Sequence, residues 1–219
     1  VLCFLLQLKV HKSGGPDNIP NAFLKRYAEW VSKYLTLISK ASLSQSSVPP
    51  DWRCAKVVPI FKAGNKSSPT NYRPISLTST SCKIMEHIVS KSLYDHLENN
   101  NLLYKNQYGF RRKLSTITQL SECIHDFCKS IDVGGQTDAI FLDMSKVFDR
   151  VPHKHLIKKL QLIGVSTELV NWISAYFKER RQFVEIKSTA SSVLPVSSGV
   201  PQGSVLGPLL FLIYISDIA

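Results

Sequence analysis

Acidic side chains are scarce in this sequence. Asp and Glu number 16 against 27 Lys and Arg, leaving a formal net charge of +11. Such an excess favours a polyanionic partner, because basic groups gain by releasing counterions condensed on phosphates. There is also no C-x-x-C pair. The five cysteines (Cys3, Cys54, Cys82, Cys123 and Cys128) are odd in number and irregular in spacing, which speaks against a disulfide framework and for reduced thiols in an intracellular setting. Cys123, His125 and Cys128 lie close together on a predicted helix but point in different directions, so packing rather than a zinc site is expected there. Long hydrophobic runs are missing too. VLCFLLQLKV at the start and VLGPLLFLIYI (Val205 to Ile215) are too short to span a bilayer, and the second contains Gly207 and Pro208. No basic start followed by a small-residue cleavage site marks a signal peptide. No membrane segment is therefore expected. The chain has no initiating methionine and reads as part of something longer. Repeats and low-complexity segments are absent.

What is present is a globular composition. With 44% hydrophobic and 20% charged residues, the 219-residue chain can bury one substantial core or two modest ones. Lys12 to Pro20 (KSGGPDNIP) is loop chemistry. Phe23, Leu24, Tyr27, Val31, Tyr34, Leu35 and Ile38 then fall at helical spacing. Cys54 to Phe61 reads as a strand, with Pro59 arguing for an edge, and YRPISLT is expected to pair back on it as a hairpin. A helix is predicted from about Ser81 to Glu98. Another, capped by Ser115, carries a stripe of Ile117, Leu120, Ile124, Phe127, Cys128 and Ile131, and Gly134-Gly135 breaks it. Thr137 to Asp143 predicts a buried strand. Helices follow at about Pro152 to Leu162 and Ser166 to Lys178. RRQFVEIK and VLPVSSGV look like two strands of a hairpin, and PQGS opens the last helix. Helices between pairing strands suggest an α+β fold.

Three stretches carry chemistry. In FLDMSKVFDRVPH, Asp143 closes an apolar run. A carboxylate fixed at a strand end, with the Met144 carbonyl beside it, supplies the hard oxygen ligands that Mg²⁺ prefers. Asp143 would equally serve as a cap for a following helix. In GVPQGSVLGP, glycines flank Gln202 and let the backbone approach a ligand, while Gln202 has donors and an acceptor for a sugar or base edge; an ordinary strand-turn-helix connection has the same look. In KVVPIFKAGN and NYRPISL, Lys62 and Arg73 fall on the two arms of the hairpin, where both could reach one triphosphate, or simply form a solvated basic surface.

Together and in this order, the motifs KSGGPDNIP, PPDWRCAKVVPIFKAGNK, NYRPISLTS, QYGFRRKLST, FLDMSKVFDRVPH, RRQFVEI and GVPQGSVLGPLLFLIYISDI resemble the reverse transcriptases of non-LTR retrotransposons. The resemblance runs from about Lys9 to the end. It implies an RNA-directed DNA polymerase that adds dNTPs to a DNA primer on an RNA template, with Mg²⁺, in the nucleus and cytoplasm. It implies the fingers and partial palm of a right-hand polymerase: residues 1–133 mainly fingers and N-terminal helices, residues 134–219 palm, with an antiparallel palm sheet packed on helices. Asp143 matches the first metal-binding aspartate. Phe148 matches the aromatic residue under the sugar that excludes a 2′-hydroxyl. Gln202 and Gly203 match the nucleotide-contacting turn, and Arg73 and Lys62 the finger residues that hold the triphosphate. Asp149 belongs to the pattern without an assigned role; a salt bridge to Arg150 or Arg112 is its simplest use. The family usually has Gly where Asn18 stands and Ala where Val147 stands. Its Tyr/Phe-Ala-Asp-Asp motif is not in this sequence, so this chain alone is expected to be inactive. The alternative is a retroelement remnant that only binds nucleic acid. Among enzymes, an intron-encoded reverse transcriptase is the nearest rival.

Overall fold

The computed structural model describes residues 1–12, 14–187 and 189–217. Two short helices, α1 (Leu2–Leu6) and α2 (Asn21–Arg26), precede the long α3 (Ala28–Ser44). The loop between α1 and α2 turns at Asn18, whose φ of +55° is the left-handed conformation that asparagine tolerates. The helical hydrogen bonding of α2 continues into α3: the Tyr27 N–H donates to the Phe23 carbonyl and the Val31 N–H to the Tyr27 carbonyl. The face that packs is Leu24, Ala28 and Val31, against Leu5 and Ile84. Phe23, Tyr27, Tyr34 and Ile38, expected in the same stripe, are instead exposed. One helix face a single residue-row wide is enough to meet the small cluster beneath, and the aromatics fall beside it.

The sheet is built on β1 (Cys54–Phe61) and β2 (Tyr72–Leu77), which form the expected hairpin. Beyond them lies β3 (Arg181–Ile186), joined by the short β4 (Thr189–Ala190) and β5 (Leu194–Pro195), both antiparallel to it. The pairing of β3 with β5 bears out the hairpin expected of RRQFVEIK and VLPVSSGV. The sheet as a whole is mixed, not antiparallel, because β1 and β3 run parallel, Cys54–Val57 against Arg181–Val184. The long, largely helical connection between them brings the chain back in the same direction, as parallel neighbours require. Pro59 stands opposite Pro74 in the half of β1 that β3 does not reach. Its missing N–H therefore faces an unpaired side, and the edge reading holds for that half alone.

The main core lies beneath the sheet, between α4 (Thr80–Asn99), α6 (His153–Leu162), α7 (Thr167–Phe177) and α8 (Gly207–Ile215). Ser79 caps α4 by accepting the Cys82 N–H at 3.1 Å. Met85, Val89, Leu93 and Leu97 repeat along its inner face and meet Leu156, Leu160, Trp172, Ile173 and Leu210. α8 is apolar nearly all round, as a helix enclosed by others must be. No helix among the described residues is long and apolar enough to cross a membrane.

Two further expectations fail. Residues 137–143 form no strand, and Ile140, Phe141 and Leu142 are 84–90% exposed. A sequence of β-favouring residues becomes a strand only where a neighbouring strand takes its backbone groups, and no described strand runs alongside. Preceding it, α5 (Thr116–Asp132) forms with the cap expected at Ser115, which pairs with Thr118 in a capping box. Its stripe of Ile117, Leu120, Ile124 and Ile131 is exposed rather than buried.

Candidate nucleotide-binding site

The turn Pro201–Ser204 is fastened on three sides. Its own Ser204 hydroxyl donates to the Pro201 carbonyl at 2.9 Å and accepts the Gly207 N–H at 2.9 Å. Toward the sheet, the Ser76 N–H of β2 donates to the Gln202 carbonyl at 2.7 Å. Toward the motif at 147–150, the Gln202 amide Nε2 donates to Asp149 Oδ1 at 3.0 Å. Gly203 has φ +102°, and a Cβ there would lie 2.9 Å from the Ser76 carbonyl oxygen and 3.2 Å from the Ile75 side chain. Only glycine combines that backbone angle with that closeness.

Phe148 and Asp149 sit in a single 3₁₀ turn, Val147–Arg150, entered through Lys146 in the left-handed conformation. The strand-like run before Pro201 lies along this turn. The Gly199 N–H donates to the Val151 carbonyl at 2.8 Å and the Val200 N–H to the Phe148 carbonyl at 2.8 Å. Gly199 has φ +88°, and a Cβ there would lie only 2.8 Å from Asp149 Cα, so no side chain fits there either. His153 Nε2 donates to the Gly199 carbonyl at 2.8 Å, and burial pulls the His153 pKa below its ordinary value. Its ring stacks on Phe177 at 4.2 Å. Phe148 stacks on Phe211 of α8 with ring centroids 4.3 Å apart and meets Phe110 edge-on at 5.8 Å. Val147 packs against the main core.

A cleft of about 310 Å³ opens between these pieces, lined by Pro74, Ser76, Asp149, Arg180, Gln182 and residues 195–202, with Ala55 at its base. Arg180 is almost wholly buried, its Cζ 4.6 Å from the Tyr176 ring centroid, and its Nη1 and Nη2 have no hydrogen-bond partner among the described residues. The hairpin arms carry the two expected cations. Ile60 pairs with Arg73, and the Lys62 N–H continues the ladder to the Asn71 carbonyl at 2.9 Å. Side chains alternate along strands, so Lys62, two residues past Ile60, falls on the same face as Arg73. Both residues are exposed.

Of the residues singled out from sequence, Gln202 lines this cleft, and Arg73, Phe148 and Gly203 adjoin its lining residues Pro74, Asp149 and Gln202 in the chain; Arg73 and Lys62 fall on the face of the hairpin opposite Pro74 and Ser76. Asp143 and Met144 belong to the exposed segment before the 3₁₀ turn, and Asp143 does not end a strand. Among the described residues no three His, Cys, Asp or Glu side chains converge where an ion could sit. Asp149 has a partner that sequence reading missed: it holds Gln202, while Arg112, a suggested ion-pair partner, meets Asp95 instead. Glu86 was also missed. The signal was a carboxylate set one turn after Cys82 and one before Val89, in the buried stripe of α4.

A mixed sheet packed on helices, with a glycine-flanked glutamine turn seated between a β-hairpin and an aromatic-acid turn, is consistent with the fold of a template-directed polymerase. The sequence profile described as "Reverse transcriptase (RNA-dependent DNA polymerase)" matches residues 62–219. The chain belongs to this family. It is 35% identical over 212 residues, 96% of its length, to the "Probable RNA-directed DNA polymerase from transposon BS" of Drosophila melanogaster. It is 32% identical over 208 residues to the "Probable RNA-directed DNA polymerase from transposon X-element" of the same fly. To the "RNA-directed DNA polymerase from mobile element jockey", also of that fly, it is 29% identical over 214 residues. In each case it spans 23% of the relative's length.

Proposed function

We propose that the chain is the nucleotide-handling region of an RNA-directed DNA polymerase from a non-LTR retrotransposon, one that extends a DNA primer on an RNA template. The observation that carries this reading is the seating of the Gln202–Gly203 turn between Ser76 of the hairpin and Asp149 beside Phe148. In support of it, the turn is hydrogen-bonded to β2, the strand that also carries Arg73. In this reading Lys62 and Arg73 hold the triphosphate, one as a point charge and one as a fork. Phe148, backed by Phe211, lies under the sugar. Gln202 is oriented by Asp149, which accepts from its amide nitrogen and leaves the side-chain oxygen free to accept from the nucleotide. Asp143, with the Met144 carbonyl, is assigned to Mg²⁺, which would neutralise the phosphates. A metal pair needs carboxylates from two strands facing one phosphate, and with Asp143 alone a second Mg²⁺ would have too few charged ligands, so the chain by itself is expected to bind primer–template and not to extend it.

The test is primer extension on an RNA template by a protein in which this sequence continues through an Asp-Asp motif and thumb. Extension should occur and should be abolished by Asp143→Asn, which keeps the shape and removes the charge. Undiminished extension by that variant would falsify the assignment. Tight binding with no extension in any form would instead support a remnant that only binds nucleic acid.

A further inference from the structure

Glu86 is wholly buried on α4, yet it is a carboxylate with every bond accounted for. Oε2 accepts the Val205 N–H at 2.6 Å and the Leu206 N–H at 3.0 Å. Oε1 accepts the Tyr176 hydroxyl at 3.2 Å and the Cys82 thiol at 3.3 Å. Burial pushes both the tyrosine and the thiol well above their ordinary pKa, so both keep the proton they donate. Val205 and Leu206 are the residues between the Gln202–Gly203 turn and α8. Leu206 is the N-cap of α8, where a helix start leaves amide donors without partners, and Val205 directly precedes it; a buried amide without an acceptor is costly.

The same stretch of chain grips the turn twice. Ser76 holds the Gln202 carbonyl, and Glu86, ten residues on, holds the amides that follow Ser204. Between them the cap at Ser79 fixes where α4 begins and therefore where Glu86 stands. The hairpin that carries Arg73 and the turn that carries Gln202 are thus set in one register by residues 76–86.

We propose that Glu86 is a positioning residue: it clamps the base of the Gln202–Gly203 turn so that the turn meets the nucleotide at a fixed distance from the Arg73 hairpin. This deepens the polymerase reading and rests on it. Glu86 touches no substrate; it acts through Val205 and Leu206.

The test compares Glu86→Met, Glu86→Gln and Leu93→Ala in the 219-residue chain. Methionine keeps the volume and accepts nothing. Glutamine can accept both amides with its carboxamide oxygen and donate to the tyrosine oxygen and the sulfur. Leu93, fully buried on the same helix but distant in sequence from the turn contacts, controls for lost stability. Amide exchange at Val205 and Leu206 should speed up on the order of tenfold or more in Glu86→Met. Glu86→Gln should largely restore protection, and Leu93→Ala should change exchange across the core rather than at the turn. If Glu86→Met does not fold, Tyr176→Phe, which removes one brace, should speed the same two amides severalfold. The second readout is dNTP affinity in the presence of an RNA–DNA primer–template, expected to fall severalfold in Glu86→Met and to be unaltered in Leu93→Ala under conditions where both are folded. Exchange at the two amides that matches the Leu93→Ala pattern overturns the clamp. Failure of the unaltered chain to bind primer–template or dNTP, with the exchange result intact, overturns the polymerase reading and leaves the clamp standing as a structural one.

Discussion

At Gly203 the chain gives up a side chain so that a turn can lie on a strand. The Ser76 carbonyl and the positive φ each forbid a Cβ there. Gly203→Ala should lower the unfolding free energy by about 2 kcal/mol, since strain of this kind costs roughly 1–3 kcal/mol, and a chemical denaturation midpoint will show it. At His153 the folded chain holds the ring neutral, because burial lowers its pKa below the usual 6.5. His87, stacked on Phe4, is shifted the same way by the same cause. The unfolded state takes up these protons first as pH falls. Stability should therefore be fully present above about pH 6.5 and decline as pH drops through that value. His153→Gln, able to keep a donor toward Gly199, should flatten part of this decline in urea titrations between pH 7 and 5. Phe148 has a sharper test, in the longer polymerase form: Phe148→Ala should admit ribonucleotides in primer extension, because the ring that would meet a 2′-hydroxyl is gone. Gln202 and Gly203 are legible in sequence as a pair because glycines around a single amide side chain are unusual chemistry. Asp149 and Glu86 are not, because their partners lie 53 and about 120 residues away, and no local pattern encodes such a pairing.

Among the elements, those whose ends carry their own chemistry are legible in sequence. Ser115 with Thr118 starts α5, Gly164 follows α6, and the hairpin of β1 and β2 closes across its polar loop. Periodicity tells which residues are apolar, not what meets them. The α5 stripe and residues 137–143 have the patterns of a core helix and a core strand, and both lie open in this chain. A strand is a relation between two segments, and the sequence of one segment shows half of it. The parallel pairing of β1 with β3 is likewise hidden, because it depends on where a long helical connection returns. Truncating a side chain should register this difference. Phe141→Ala should change the unfolding free energy by less than about 0.5 kcal/mol, as for a surface position, whereas Leu210→Ala, buried in α8, should cost about 2–5 kcal/mol. Equal losses from the two would mean that residues 137–143 are packed in solution.

Over the whole molecule, the excess of base over acid is left largely unneutralised. Lys56, Arg53, Arg111, Arg112 and Lys159 are paired with carboxylates. No ion pair with Lys62 or Arg73 is found among the described residues. The nucleic-acid partner of the proposed function is also the class of partner that the charge favours. An RNA–DNA duplex is recognised chiefly through the shape and phosphates of its backbone, so its affinity should vary little with sequence and steeply with salt. Each cation that neutralises a phosphate contributes about one unit to the slope of log affinity against log salt. If Lys62 and Arg73 were to face the template strand, replacing both with alanine would flatten that slope by about two. The proposed site has them on the incoming triphosphate instead. Lys62→Ala/Arg73→Ala should then leave the salt slope of primer–template binding nearly unaltered while weakening dNTP binding to the preformed complex at least tenfold, because a charge-assisted contact is worth about 1.5–3 kcal/mol. Anisotropy titrations of labelled duplex across a salt series, with and without dNTP, separate the two outcomes. A slope that drops by two, with dNTP affinity intact, would move these residues from the nucleotide to the duplex.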